Sequence, residues 1–218
     1  MRILVLGATG GTGRAFTAAA LAAGHHLSAV ARRSEGLETL APHTGQLETI
    51  AGDATDPELI ARIAPGHDAY VVALGEYPHP LAFLPGPQRR RCDAVCSRGT
   101  EALLATLPQG ARVAVVSAYG VGATRERAPW YFRMYFNLFL SALFADKEKQ
   151  EAALAASSAD YIIAQPVGLT DRRATGQALA SAEGCIRKAT ISRADVAAFL
   201  LDEIERPHHH RASVALSG

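Results

Sequence analysis

The chain has 218 residues, 22 basic and 21 acidic for a net charge of +1, and is 49% hydrophobic. That length builds one well-buried α/β domain, and the even charge balance excludes a nucleic-acid-binding stripe, Arg89-Arg90-Arg91 being short and isolated. The 3 cysteines show neither a disulfide framework nor metal-ligand spacing, so a reducing, cytoplasmic setting is expected.

Met1-Arg2 leads, with no signal-peptide pattern, into the apolar run Ile3-Leu4-Val5-Leu6, which predicts a strand. Behind it stand Gly7-Ala-Thr-Gly10-Gly-Thr-Gly13 and an alanine-rich helix, Arg14 to Ala23. Glycines let the chain turn tightly and let phosphates approach the backbone. The helix N-terminus adds unpaired N–H groups and a positive dipole end. The spacing is G-x-x-G-x-x-G rather than G-x-G-x-x-G, but its place between a strand and a helix is the context a dinucleotide cradle requires. Gly7, Thr9, Gly10, Gly11, Thr12 and Gly13 are therefore candidate cofactor residues; the alternative is a turn with a structural role alone. The second strand, Leu27 to Ala31, ends in Arg32-Arg33, where an NAD site carries an acid. Two guanidiniums there suit a ribose 2′-phosphate, which makes NADP (NADPH) the expected cofactor unless the pair is merely solvated.

Gln46–Ala51 predicts a third strand. Asp56-Pro57-Glu58 opens a helix as N-cap, first-turn proline and dipole partner, with Leu59, Ile60 and Ile63 inward. Asp68–Leu74 is a fourth strand, apolar almost throughout as central parallel strands are. A long loop from Gly75 to about Arg91 carries Pro78, Pro80, Pro85 and Pro87 and leaves the carboxyl end of a central strand, where ligands of open α/β sheets bind. Cys92, Val95, Cys96, Gly99, Leu103 and Leu107 keep helical spacing, so these cysteines read as core residues. Arg112–Ser117 is a fifth strand ending in Tyr119-Gly120-Val121-Gly122, and Trp130 to about Ser157 reads as mostly helical. Within it, Trp130–Ala145 is too short and too polar to span a bilayer. Asp160–Gln165 is a sixth strand stopped by Pro166, Ser192-Arg-Ala-Asp195 caps a helix to Glu205, and Ser213–Leu216 is a last strand. The alternation predicts a Rossmann-type doubly wound, mostly parallel sheet with helices on both faces. It forms a single domain over 1–218 with substrate-pocket loops at about 75–91 and 119–145. His25-His26 and His208-His209-His210 lack the separated ligands of a metal centre and are expected on surface loops.

The order of these motifs resembles an atypical short-chain dehydrogenase/reductase, in the one-domain NAD(P)-binding branch that includes NmrA-like proteins and biliverdin-IXβ/flavin reductases. The stretches that carry it are Gly7–Gly13, Gly52-Asp53-Ala-Thr-Asp56, Asp68–Gly75, Val115-Val-Ser-Ala118, Asp146-Lys147-x-x-x-Glu151 and Ile162–Pro166 leading to Gly168–Asp171. The resemblance implies that the Asp53-Ala54 turn faces the adenine, that Leu74 and Gly75 line the middle of the cofactor, and that Ser117 is the active-site hydroxyl. It implies further that Lys147 bonds the nicotinamide ribose and that Pro166-Val167-Gly168 faces the carboxamide. Asp53 reads equally as a turn former, and Lys147 as a surface charge paired with Glu151 at i, i+4.

The chain departs from the family's main pattern at Leu143, where a tyrosine acid would stand four residues before Lys147; Tyr131 and Tyr135 are at the wrong distance. Ser117, Tyr119 and Lys147 are then the candidate catalytic set, Ser117 orienting substrate and Tyr119 or a water giving the proton. Two functions fit. One is an NADPH-dependent oxidoreductase reducing a planar hydrophobic small molecule of the flavin, quinone or tetrapyrrole class. The pocket for it would draw on Tyr77, Leu81, Phe83 and Leu84 and on the aromatic cluster from Trp130 to Phe139. The other is a non-catalytic, NADP-sensing NmrA-like regulator, with the aromatic segment 130–144 docking a protein partner or a second copy rather than packing on the sheet. A sugar-nucleotide epimerase is less well matched, since the chain is short for the C-terminal substrate domain those enzymes carry.

Overall fold

Short apolar strands alternating with helices assemble, in a computed structural model describing residues 1–32, 37, 46–75, 93–127 and 141–218, into a single doubly wound α/β domain. Strand β1 (Arg2–Leu6) passes through the glycine turn into α1 (Gly11–Ala22), followed by β2 (His26–Ala31), β3 (Leu47–Ala51), α2 (Pro57–Ile63), β4 (Ala69–Val72) and α3 (Val95–Leu104). The second half runs β5 (Arg112–Val116), a short helical turn at Gly122–Thr124, α4 (Ser141–Ala156), β6 (Asp160–Pro166), β7 (Gly168–Thr170), β8 (Leu179–Ser181), β9 (Thr190–Ser192), α5 (Arg193–Glu205) and β10 (Ala212–Ser217). The main sheet has the order β3-β2-β1-β4-β5-β6-β10-β8, parallel throughout except for β8 against β10, and β7 pairs with β9 beside it.

Period-two alternation sorts the strand side chains into two cores. Ile3 and Val5 face one layer with Phe16 of α1 and Val196, Leu200 and Ile204 of α5. Leu4 and Leu6 face the other with Ile60 of α2, Leu103 of α3 and Leu154 of α4. The local start signals operate as read. Asp56 accepts the N–H of Glu58 at 3.0 Å and of Leu59 at 3.4 Å, and Ser192 accepts that of Asp195 at 2.9 Å. Cys96 is buried among core residues, whereas Cys185 is exposed.

Several expectations change. Helix α1 begins at Gly11 rather than Arg14, so the last glycines form its first turn. Strand β6 runs on through Pro166, which stands opposite Leu216 in the register with β10. The three-residue strands β7, β8 and β9 are too short to leave a periodic signal. His25 is not on an exposed loop: it is 8% exposed, its ring held between the N-terminal amine at 3.3 Å and Glu205 at 2.8 Å. His209 and His210 likewise bond carboxylates, Glu203 at 2.6 Å and Asp160 at 2.9 Å. Arg33, the proline-rich loop from 76 through Cys92, and the aromatic segment through 140 lie outside the described residues.

Candidate dinucleotide site

Parallel pairing brings the carboxyl ends of β1 to β4 to one edge, and the turns leaving them enclose a cavity of about 620 Å³. Gly7, Thr9 and Gly10 line it from the first turn, Arg32 from the end of β2, Asp53 and Ala54 after β3, and Leu74 and Gly75 after β4. Gly7 has φ +88°, and a Cβ there would lie 2.6 Å from the Ala73 carbonyl oxygen; one on Gly13 would drive into the carbonyl of Gly7. The turn therefore closes only without side chains at these positions. No side chain caps α1, no acid stands in its first turn, and its backbone ladder starts with Arg14 N–H on the Gly10 carbonyl at 2.8 Å. That leaves a helix start suited to an anion.

Asp53 is a turn former that also lines the cavity. One carboxylate oxygen accepts the N–H and the hydroxyl of Thr55, each at 2.9 Å, while the residue lines the cavity. The Thr55 N–H, against a smaller burial penalty and helped by the Thr55 hydroxyl and Arg32, holds the carboxyl below its ordinary range.

A second group gathers where β5 ends. Lys147 turns inward from α4 and donates to the Val116 carbonyl at 3.0 Å, so it is not the surface partner of Glu151. Glu151 is itself buried, its Oε1 accepting the Ser117 hydroxyl at 2.5 Å and the Gln165 amide at 2.9 Å. Burial raises the Glu151 carboxyl above its ordinary value, with the Ser117 and Gln165 hydrogen bonds and Lys147 opposing. The sequence offered Glu151 as one half of a possible surface pair with Lys147 and gave no role to Gln165. The available signal was spacing, since Asp146, Gln150 and Leu154 recur every four residues along one buried stripe and Glu151 borders it. Asp146 reaches the other way and accepts the N–H groups of Cys96 at 2.9 Å and Ser97 at 3.0 Å, capping α3.

Tyr119 is 5% exposed and donates its hydroxyl to the Gly184 carbonyl at 3.3 Å, and burial pushes the phenol above its usual range. At the end of β6, Pro166 accepts the Tyr119 N–H at 2.9 Å, Val167 N–H donates to Leu216 at 3.1 Å, and Gly168 N–H to Ala189 at 3.0 Å. The fold thus joins the glycine turn, Arg32, Asp53, Leu74 and Gly75 around one cavity and sets Ser117 beside the lysine helix, but ties the Tyr119 hydroxyl elsewhere.

A family model of NAD(P)H-binding proteins matches residues 7–207. The chain belongs to the NAD(P)H-binding family. No protein of curated function matches it by sequence. Among solved structures, an anaerobilin reductase of Escherichia coli O157:H7 is similar at 23% identity and TM-score 0.77, over 100% of this chain and 97% of that one. A Streptococcus pneumoniae protein provisionally assigned as an NADH-flavin reductase follows at 21% identity and TM-score 0.73, over 99% and 98%. A short-chain dehydrogenase/reductase of Veillonella parvula superposes with TM-score 0.78 at 17% identity, over 99% and 93%. Identities this low establish a shared fold.

The residues of this NAD(P)H-binding chain fit such a cofactor on structural grounds. The turn is a cradle that a Cβ would fill, the helix behind it is uncapped, and the cavity continues past Arg32 and Asp53. Among the described residues no group of three or more His, Cys, Asp or Glu could hold a metal ion, and no helix is long and apolar enough to cross a membrane.

Proposed function

We propose that the chain is an NADPH-dependent reductase acting on a planar hydrophobic acceptor of the flavin, quinone or tetrapyrrole class, as a single cytoplasmic domain. The observation that carries this reading is the glycine-built cavity with Arg32 at the end of β2, in a chain with Leu143 where a tyrosine acid would stand. Bound there, the reduced dinucleotide supplies hydride. The start of α1 binds its pyrophosphate, Arg32 with Arg33 the 2′-phosphate, and Asp53-Ala54 the adenine, while Leu74 and Gly75 line its middle. Lys147 orients the nicotinamide ribose, Pro166-Val167-Gly168 faces the carboxamide, and Ser117 orients the acceptor. A planar acceptor needs a stacking surface rather than a strong acid, so water delivers the proton, the Tyr119 hydroxyl being engaged with Gly184. The reductase names of the E. coli and S. pneumoniae neighbours support the same reading.

NADPH is expected to bind at least about tenfold more tightly than NADH in a fluorescence titration, and Arg32→Ala to remove most of that preference. Equal dissociation constants in the wild type would sink the NADP assignment. Steady-state oxidation of NADPH against flavins, quinones and linear tetrapyrroles tests the reaction. One observation favours the NADP-sensing regulator instead: among the described residues, both candidate hydroxyls donate within the protein, Ser117 to Glu151 and Tyr119 to Gly184. Tight NADPH binding with no turnover on any acceptor, together with a cofactor-dependent protein partner or dimer, would select it.

A further inference from the structure

Arg193 opens α5, and its side chain lies back across α1. A Cβ built on Gly11 would stand 2.6 Å from Arg193 Nε, 2.8 Å from its Cδ and 3.3 Å from Cζ. The guanidinium stem thus occupies the space that a larger residue at Gly11 would take, at the first residue of the helix that ends the glycine turn. The backbone position of Arg193 is held firmly. Ser192 caps α5, and Asp195 of the same turn binds the N–H groups of Thr175 at 2.9 Å and Gly176 at 3.0 Å. The head group is ion-paired. Its ion-pair partner is Asp171 at 2.7 Å, whose side chain is 87% exposed against 20% for Arg193. A pair with one partner this exposed is screened by water and contributes little.

We infer that Arg193 is a phosphate-binding residue of the dinucleotide site, its guanidinium leaving Asp171 to close on the pyrophosphate held at the start of α1. The inference rests on the dinucleotide reading of the glycine turn. A phosphate offers the guanidinium paired, charge-assisted hydrogen bonds that an exposed carboxylate in water does not match. The absence of an acid in the first turn of α1 leaves no local competitor. Gly11 is then needed for a reason separate from the turn geometry: it makes room for a cation carried on another helix.

The test is NADPH binding to the full chain, followed by cofactor fluorescence, with adenosine 2′-phosphate, which lacks the pyrophosphate, as the second probe. Arg193→Met keeps the aliphatic packing and is expected to weaken NADPH roughly tenfold while leaving adenosine 2′-phosphate unchanged. Arg193→Lys should recover part of the loss, and Gly11→Ala, which displaces the guanidinium stem, should reproduce it. Asp171→Asn frees the head group and should tighten NADPH roughly two- to threefold. Wild-type NADPH affinity in Arg193→Met, or an equal loss for both probes, overturns the inference alone. A wild-type chain that binds adenosine 2′-phosphate and NADPH no better than an unrelated protein overturns the dinucleotide reading together with it.

Discussion

Gly13 acts through what it lacks. Its backbone runs so close to Gly7 that one methyl group would strike a carbonyl oxygen rather than a side chain able to swing aside. Gly13→Ala is therefore expected to cost about 1–3 kcal/mol in urea denaturation, as overpacking does, and to weaken NADPH at least about tenfold in a fluorescence titration. Glu151 is the opposite case, a carboxyl whose burial outweighs the donors gathered around it. Because burial raises its carboxyl above the ordinary 4.5, the folded chain keeps a proton that the unfolded chain has already released. Its contribution to stability is full below that ordinary value and is lost as pH rises through the raised one. Measured from about pH 4 to about pH 8, the wild type should lose stability relative to Glu151→Gln. A difference between them that does not change with pH would remove burial as the cause. The lysine motif carrying Glu151 was legible in the sequence, but which of its charges turned inward was not. That depended on Ser117, just past β5, and Gln165 of β6 arriving beside the helix.

Helix starts divide in the same way. Asp56 caps its own helix two and three residues on, and the sequence shows it plainly. Helix α3 has Ala94 as its N-cap residue, with a left-handed backbone, φ +54°, and no side-chain cap of its own. Asp146 supplies that cap from α4, adding a bond from the Ser97 hydroxyl at 2.5 Å. Burial works to raise the Asp146 carboxyl, but these Ser97 and Cys96 bonds outweigh it and hold it below the ordinary 3.8. Asp146→Ala leaves buried donors unpaired and is expected to cost about 2–3 kcal/mol, against about 1 kcal/mol for Asp56→Ala, both by urea denaturation. The Asp146 contribution is full above 3.8 and is lost as pH falls through the lowered value, so Asp146→Ala should converge on the wild type in acid.

Across the whole molecule, the two ends of the sheet do different work. At the carboxyl ends the strands leave a cavity. At the amino ends a polar cluster ties the layers together around Arg112, which is 8% exposed. Its guanidinium bonds Glu203 at 2.9 Å and Asp160 at 3.1 Å, and His209 closes on Glu203 at 2.6 Å. Glu203→Ala leaves Arg112 with Asp160 and the Glu203 and His209 backbone carbonyls, and is expected to cost about 1–3 kcal/mol in urea denaturation. NADPH affinity at the far end should stay within about twofold of wild type. A large loss of affinity without unfolding would show that the two ends are coupled.

The strand–glycine turn–helix unit, the order of elements, the parallel core strands and the Asp56 and Ser192 caps all followed from sequence. The turn, the strand runs and the caps are each specified by residues within a turn or two of one another, and their order along the chain is local information too. Tertiary structure decided the inward turn of Lys147 and Glu151, the engagement of Tyr119 with Gly184, the burial of Arg112 and His25, and the seat of Arg193 on Gly11. These contacts join residues far apart in the chain. Local periodicity reports which face of an element is buried, but a polar side chain's partner is set only when strands and helices distant in sequence come to lie side by side.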